Sequence, residues 1–531
     1  MPFFKTQDIK IWTNGTWLNL AKDFNLKSFS TDTRSLNKGD TFVCINAQRD
    51  GHDFAKDAES AGANAIITQR ELEGITIPQL VVADTLLALQ NIAKFHRLRF
   101  EFPVLAVTGS CGKSTTKESL AKILSWKNPS YTEKNYNNEI GVALSILKSD
   151  LKFNKLAIIE AGVAAQGQMS ELATMIEPDL VVVTNIAPAH LDGFVDIASV
   201  AKEKALLAEN CAIGGFCVMH SNLLSWKAFD ELKCKKAVAI PMDAPDVKAD
   251  LAFRYKINYN ESDINIELCL EGGNEYYFEM PITSKGNAEN MVLVIIASLM
   301  LGAKEELILS GLQRLQNLGM RNLFIEKDDV KLFVDCYNAN PASMKDSLDF
   351  FEVKSAQATN RHFLIGPMAD LGIASIRLHK DIASYIKRKE GDKVVIIGDT
   401  QDLYKSSLLE AGWAEEDISI FNTSEEAQGY LSEAKGHIFL KASRKYELEK
   451  AIPQEFFMSQ EELEKLAKEK AQEEVEEPQE EYKEEKPKKK NKKGKKAKIE
   501  EDEGEEFPED FDDEDFIERI DVDREEHSRF E

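Results

Sequence analysis

Residues Thr108 to Thr115 read T-G-S-C-G-K-S-T, an order of residue types suited to gripping phosphate. Gly109 and Gly112 let the backbone turn its N–H groups inward, where they can hydrogen-bond phosphate oxygens at a helix N-terminus. Ser110, Cys111 and Thr115 complete the loop. Lys113 then sets a positive charge on the β- and γ-phosphates, and the Ser114 hydroxyl can ligate Mg²⁺. Val107 stands where the usual G-x-x-x-x-G-K-[ST] spacing has its first glycine. A glycine-containing turn with a solvated lysine is the plainer alternative. The apolar strand just before and the helical stretch just after favour the phosphate loop. The chain is therefore expected to bind and consume ATP.

Such a loop needs a sheet behind it. The spacing predicts a strand at Val104–Thr108, a glycine-rich turn and a helix from Lys113. Runs at 156–160 and 180–185 repeat the pattern, each leading through a polar loop into a helical stretch. Strands alternating with helices imply an α/β domain with a parallel sheet covered on both faces, here over 103–318. Before it, 1–102 mixes short apolar runs at 41–45 and 65–68 with polar turns, and a helix over 84–100 leads out of it. After it, 319–454 forms a third α/β segment, with strands expected at 331–335, 362–365, Lys393–Ile397 and 437–440. The sequence at 455–531 has few aliphatic residues and blocks of like charge, a lysine run at 486–498 and an acidic run at 500–523. It is expected to be disordered, because too little apolar surface is available to offset the entropy of ordering.

With 531 residues the chain has room for several domains, and its formal net charge is −25. More than half of that charge lies in 455–531. An acidic chain of this kind excludes a general nucleic-acid or anionic-membrane binder, which needs a basic face. The seven cysteines are scattered without a C-x-x-C pair, so a zinc site is not expected and a reducing compartment is. Nothing in residues 1–15 resembles a secretory signal. The longest apolar stretch, 291–303, is shorter than the roughly 20 residues that span a bilayer and reads as a buried helix. A cytoplasmic protein without stable membrane insertion is expected, and a monomer.

Beyond the phosphate loop, N-Y-N-N-E-I-G-V (135–142), N-I-A-P-A-H-L-D-G-F (185–194), A-K-E-K (201–204) and Y-N-A-N-P-A-S-M (337–344) occur in order. Together with T-G-S-C-G-K-S-T-T-K-E (108–118) they resemble the Mur ligases, from about residue 30 to 450. The family's fold is three-domain: a UDP-substrate-binding domain, a P-loop domain and a Rossmann-like C-terminal domain. The last motif is most like members that join D-alanyl-D-alanine to UDP-N-acetylmuramoyl-tripeptide in peptidoglycan precursor synthesis. The resemblance implies an ATP- and Mg²⁺-dependent ligase with an acyl-phosphate intermediate, and those two molecules as its partners.

Several roles are implied residue by residue. Glu160 matches the family's Mg²⁺-binding carboxylate, and His190 a residue that helps hold a second Mg²⁺ through a neutral imidazole nitrogen. The A-K-E-K run matches the position of a lysine carried as a carbamate, whose oxygens suit a hard cation where an ammonium would repel it. Lys204 fits the family's spacing from the histidine better, and Lys202 is the rival. Asn290 corresponds to the nucleoside-binding asparagine, Arg321 and Asp335 to residues that close over ATP. Asp335 at a strand end could equally be a cap. Thr33 and Arg34, in S-T-D-T-R-S (30–35), with R-D-G-H-D-F (49–54), resemble the UDP-sugar site, and Asn137 and Asn138 the loop brought to the muramoyl substrate. Asn338 and Asn340 lie beside the expected D-alanyl-D-alanine position, or simply form a turn before Pro341.

Some positions depart from the family. Its G-x-H-N-x-x-N is altered at Ser284 and Gly286. Its G-D-M-x-E-L-G appears with Pro367 and Asp370, its K-G-S-R with Ala442, and the loop after Glu160 reads A-G-V-A-A-Q-G-Q-M. These bear on the adenine pocket and on specificity for the incoming amine. Two other readings stand beside the leading one: a related Mur or folylpolyglutamate-type ligase with another acceptor, and an inactive scaffold that recruits unknown partners through its charged tail.

Overall fold

The structure, a computed structural model, describes residues 4–315, 321–398 and 401–457. The chain divides into two compact units, Met1–Ala451 and Ile452–Glu531. Gln454–Phe457 forms a short 3-10 turn; the rest of the segment expected to be disordered lies outside the described residues, as does the expected boundary at 318.

Three larger sheets and a two-stranded antiparallel pair, Phe4–Lys5 with Asn25–Leu26, make up the first unit. The first of the three has the order Thr16–Leu18, Gln79–Val81, Ala65–Thr68, Thr41–Val43, Phe29–Ser30, and only its Thr16–Leu18 edge runs antiparallel. The helix Thr85–Arg97 leads out of it, capped by Asp84, which accepts from the Leu87 N–H at 2.8 Å.

The central sheet has nine strands. Val104–Thr108 lies between Ala157–Glu160 and Leu180–Val183, parallel to both. All five of its residues are buried, which needs helices on both faces. Val104 and Ala106 enter one apolar cluster with residues of the helices Glu139–Leu147, Gln168–Ile176 and Ile197–Glu209. Leu105 and Val107 enter a second with Leu120 and Ile123 of Lys113–Ile123 and the buried face of Lys285–Met300. The apolar stretch at 291–303 thus lies mostly in a core helix. On the far side, Phe216–His220, Lys235–Pro241 and Leu251–Tyr259 continue the sheet in parallel, and Asp263–Leu270 and Glu275–Pro281 end it as an antiparallel ribbon. The sheet is therefore mixed rather than wholly parallel. Asp263–Leu270 alternates half-buried and buried residues, the pattern of a strand with one wet face.

The third sheet runs Leu323–Lys327, Val330–Val334, Gly436–Lys441, Arg361–Ile365, Lys393–Ile397, Ile418–Phe421, with only its first strand antiparallel. Its core has its own apolar cluster, built around Phe333, Phe351, Phe363 and Phe439. By contrast the first and central sheets share a cluster: Phe4, Ile9, Leu89 and Ile92 join Val104, Val142, Ile146 and Leu172. Among the described residues no helix is long and apolar enough to cross a membrane.

Candidate active site

The chemistry-bearing residues gather at the carboxyl ends of three adjacent parallel strands, where α/β sheets place their ligands. Val104–Thr108 ends in the loop 109–112, and the helix Lys113–Ile123 starts directly after it. Gly109 has φ +145° and Gly112 φ +78°. A Cβ on Gly109 would lie 1.9 Å from Thr184 Oγ1, and one on Gly112 2.3 Å from Asn290 Nδ2. Both glycines are thus required by close approach as well as by conformation. The loop is pinned by the neighbouring strand's extension: Ser110 N–H donates to the Asn185 carbonyl (2.9 Å), Ser110 Oγ to the Ala187 carbonyl (2.9 Å) and Cys111 N–H to Asn185 Oδ1 (2.9 Å). Thr108 is fully buried beneath it. Lys113 folds back and donates to the Gly109 carbonyl at 2.9 Å, so its ammonium sits over the loop.

Glu160 ends the adjacent strand and is 1 % exposed. Its Oε1 accepts from Ser114 Oγ at 3.0 Å and from Asn137 Nδ2 at 2.8 Å. Among the described residues its Oε2 has no hydrogen-bond partner, and Lys117 Nζ lies 3.9 Å from it. A buried carboxylate oxygen left open beside a serine hydroxyl is a donor set suited to Mg²⁺, a hard cation that keeps several of its own waters. Asn138 caps the helix Glu139–Leu147, accepting from the Gly141 N–H at 2.9 Å.

His190 follows the third strand with φ +53°. Its Nδ1 lies 3.2 Å from Asp370 Oδ2. Burial, and then the nearby Lys113, lower its pKa, so the neutral ring with a free lone pair is favoured. Gly372, at φ +53°, packs against the backbone of Asp192, so the altered G-P-M-A-D-L-G loop of the third sheet seats directly on the histidine loop.

Lys204 and Lys202 are separated by the helix Ile197–Glu209 that carries both. Lys202 is exposed, whereas Lys204 is buried at 2 % exposure, with no hydrogen bond or ion pair among the described residues. Burial, followed by the charge of Lys113, pulls its pKa down to about 7. The neutral amine is therefore well populated near neutral pH.

A cleft of about 640 Å³ opens between the central and third sheets, lined by the loop residues Ser110 to Thr115 and by Asn137, Asn138, Glu160, His190 and Asn290. From the third segment come Arg321, Asp335, Asn338 and Asn340. The guanidinium of Arg321 stacks 3.7 Å from the Tyr337 ring centroid and lies 3.7 Å from Glu118. Asp335 takes Ser347 Oγ at 2.6 Å and the Lys441 ammonium, so it is the anchor of a buried network and no simple cap. Asn340 does cap the helix Pro341–Lys354, accepting from the Ser343 N–H at 2.9 Å, and its Nδ2 also meets Cys111 Sγ at 2.9 Å. Asn338 Oδ1 accepts from the Ala339 N–H, which gives it a turn-forming role. Thr33 and Arg34 are not among the cleft's lining residues; Arg34 is exposed and held by Asp32, with Nη2 to Oδ2 at 2.7 Å.

The structure adds residues to those predicted. Lys117, 1 % exposed, donates to the Lys134 carbonyl at 3.2 Å and so ties the phosphate-loop helix to the loop carrying Asn137. Its place in the T-T-K-E motif was a signal, but a lysine on a helix ordinarily reads as solvated. Asn287, Asp346 and Lys441 also line the cleft. No group of three His, Cys, Asp or Glu side chains that could hold a metal occurs among the described residues.

Two family descriptions fit this chain: "Mur ligase middle domain" over residues 107–298 and "Mur ligase, glutamate ligase domain" over 320–444. The UDP-N-acetylmuramoyl-tripeptide--D-alanyl-D-alanine ligase of Escherichia coli (strain K12) is 31% identical over 391 residues, covering 71% of this chain and 82% of that one. The chain belongs to the Mur ligase family. Among solved structures, MurF from Acinetobacter baumannii superposes with a TM-score of 0.73 at 25% identity, over 85% of this Mur ligase and 98% of that chain. MurF from Thermotoga maritima, solved in complex with ADP, shares the fold with a TM-score of 0.67 at 22% identity, over 80% and 96%.

Proposed function

We propose that this Mur ligase joins D-alanyl-D-alanine to UDP-N-acetylmuramoyl-tripeptide, with ATP and Mg²⁺, to make a peptidoglycan precursor in the cytoplasm. The observation that carries it is the hydrogen-bonded set Ser114–Glu160–Asn137, which brings the phosphate loop and the substrate loop onto one carboxylate. The proposed layout is a UDP-substrate domain over 1–102, a P-loop domain over 103–318 and a C-terminal ligase domain over 319–454.

In this scheme the loop amides and Lys113 take the nucleotide phosphates and neutralise charge as the γ-phosphoryl leaves. Ser114, Glu160 and His190 would hold Mg²⁺, which when bound would supply further charge neutralisation for phosphoryl transfer. Asn137 and Asn138 hold the muramoyl peptide so that its carboxylate is in line for phosphorylation. Lys204, buried with no ion pair among the described residues, is favoured as the neutral amine; adding CO₂ with release of one proton to solvent, it would offer carbamate oxygens to the cation in place of a repelling ammonium. Asn290 takes the nucleoside, Asp335 the ribose hydroxyls and Arg321 the ATP phosphates, and Thr33 and Arg34 take the UDP diphosphate, for which an arginine is apt. Asn338 and Asn340 face the incoming amine, which attacks the acyl phosphate.

The test is mass spectrometry of the product formed from ATP, D-alanyl-D-alanine and a panel of UDP-muramoyl-tripeptides. Appearance of the pentapeptide nucleotide with stoichiometric ADP is the expected result. ADP release driven by another amine, with no D-alanyl-D-alanine adduct, would overturn the assignment of the acceptor.

A further inference from the structure

Asp346 lies on the helix Pro341–Lys354 of the third segment, yet its closest partner belongs to the central one. Asp346 Oδ1 accepts from the backbone N–H of Gly286 at 2.7 Å, in the first turn of Lys285–Met300, and the Ser284 hydroxyl also reaches its carboxylate. The first N–H groups of a helix have no intrahelical acceptor, and a carboxylate there is favoured by the helix dipole. This acceptor is supplied from a different part of the chain. The same turn carries Asn287, and the next carries Asn290, whose amide packs on Gly112 of the phosphate loop. Gly286 stands where the family's pattern has histidine, and a Cβ there would come within 2.9 Å of Asp346 Oδ2. The missing side chain makes the room in which the carboxylate sits. At its other end the same helix touches the loop through Asn340 and Cys111.

We infer that Asp346 is a positioning residue for the nucleotide: through Gly286 it fixes the turn that presents Asn287 and Asn290, and it does so only while the third sheet is seated. The inference rests on the nucleotide cleft proposed above. It accounts for how the chain dispenses with the family's histidine.

The test uses the full chain. In nucleotide-free protein, amide exchange over 284–288 is compared between wild type, Asp346→Ala, Asp346→Asn and Gly286→Ala. Removing a charged hydrogen bond is expected to speed exchange there by about tenfold, with 292–297 unchanged. Calorimetry with ADP should show dissociation constants weakened by about tenfold in Asp346→Ala, and in Gly286→Ala alike. The double variant should be no worse than either single one. Asp346→Asn retains an acceptor oxygen and should recover most of the loss; in turnover, KM for ATP should rise more than kcat falls. Unchanged exchange at 284–288, additive losses in the double variant, or no recovery by asparagine would each overturn the role. Because exchange is read without substrate, a failure of the ligase assignment would leave this contrast visible and so be told apart.

Discussion

Glu160 has two oxygens in unequal surroundings. One is satisfied by Ser114 and Asn137, and the other is buried without a hydrogen-bond partner among the described residues, with Lys117 Nζ 3.9 Å away. Glu160→Gln keeps the shape and removes the charge. Together with Lys113→Ala it is expected to lower ADP release by about 10³-fold, since each removes charge stabilisation from phosphoryl transfer. A coupled ADP assay decides this; near-normal turnover in either variant would end the assignment. Lys204→Ala should be largely inactive and partly restored by acetate or another short carboxylic acid, which supplies the oxygens the carbamate would bring. If no short acid restores turnover at any concentration tolerated by the wild type, the carbamate is wrong. The residue types in the phosphate loop announced its chemistry in advance, because glycine and lysine at that spacing have few other uses. Lys117 was not legible in the same way. Whether a helical lysine is solvated or buried depends on what packs over it, and here the loop at Lys134 does.

Among the elements, Val104–Thr108 was readable as a buried strand because a continuous apolar run between turns leaves little choice. The strands between Phe216 and Pro281 were harder. Several alternate with polar and charged residues, as in Asp263–Leu270, and such short alternation is decided by pairing partners distant in sequence. The helix Thr85–Arg97 was legible to within three residues, but the burial of His96 within it was not. His96 Nε2 lies 2.9 Å from the Ser149 carbonyl, Nδ1 has no hydrogen-bond partner among the described residues, and burial lowers its pKa to about 4. The folded pKa is below the unfolded value near 6.5, so below pH 6.5 the unfolded state binds more protons. Stability contributed by the neutral ring is complete above pH 6.5 and is lost as pH falls towards 4, by about 3 kcal/mol in total. Urea midpoints measured from pH 7 to 4.5 should therefore fall more steeply for the wild type than for His96→Gln; parallel slopes would refute it.

For the whole molecule, every residue lining the cleft precedes Ala451. Removing Glu455–Glu531 is accordingly expected to leave kcat and KM within about twofold of the full chain, the scale of surface effects distant from a site. A larger change in steady-state kinetics would give the charged segment a part in the chemistry. The two seams of the large unit differ in kind. The first and central sheets are fused through shared apolar side chains, and parting them would expose area at about 25 cal/mol per Å². The third sheet meets the central one largely through polar pairs: Asn340 with Cys111, Asp370 with His190, Asp346 with Gly286, Arg321 with Glu118. Water can replace such pairs nearly one for one. Parting the third sheet from the central one would accordingly break replaceable polar pairs, whereas parting the first would open a shared apolar core.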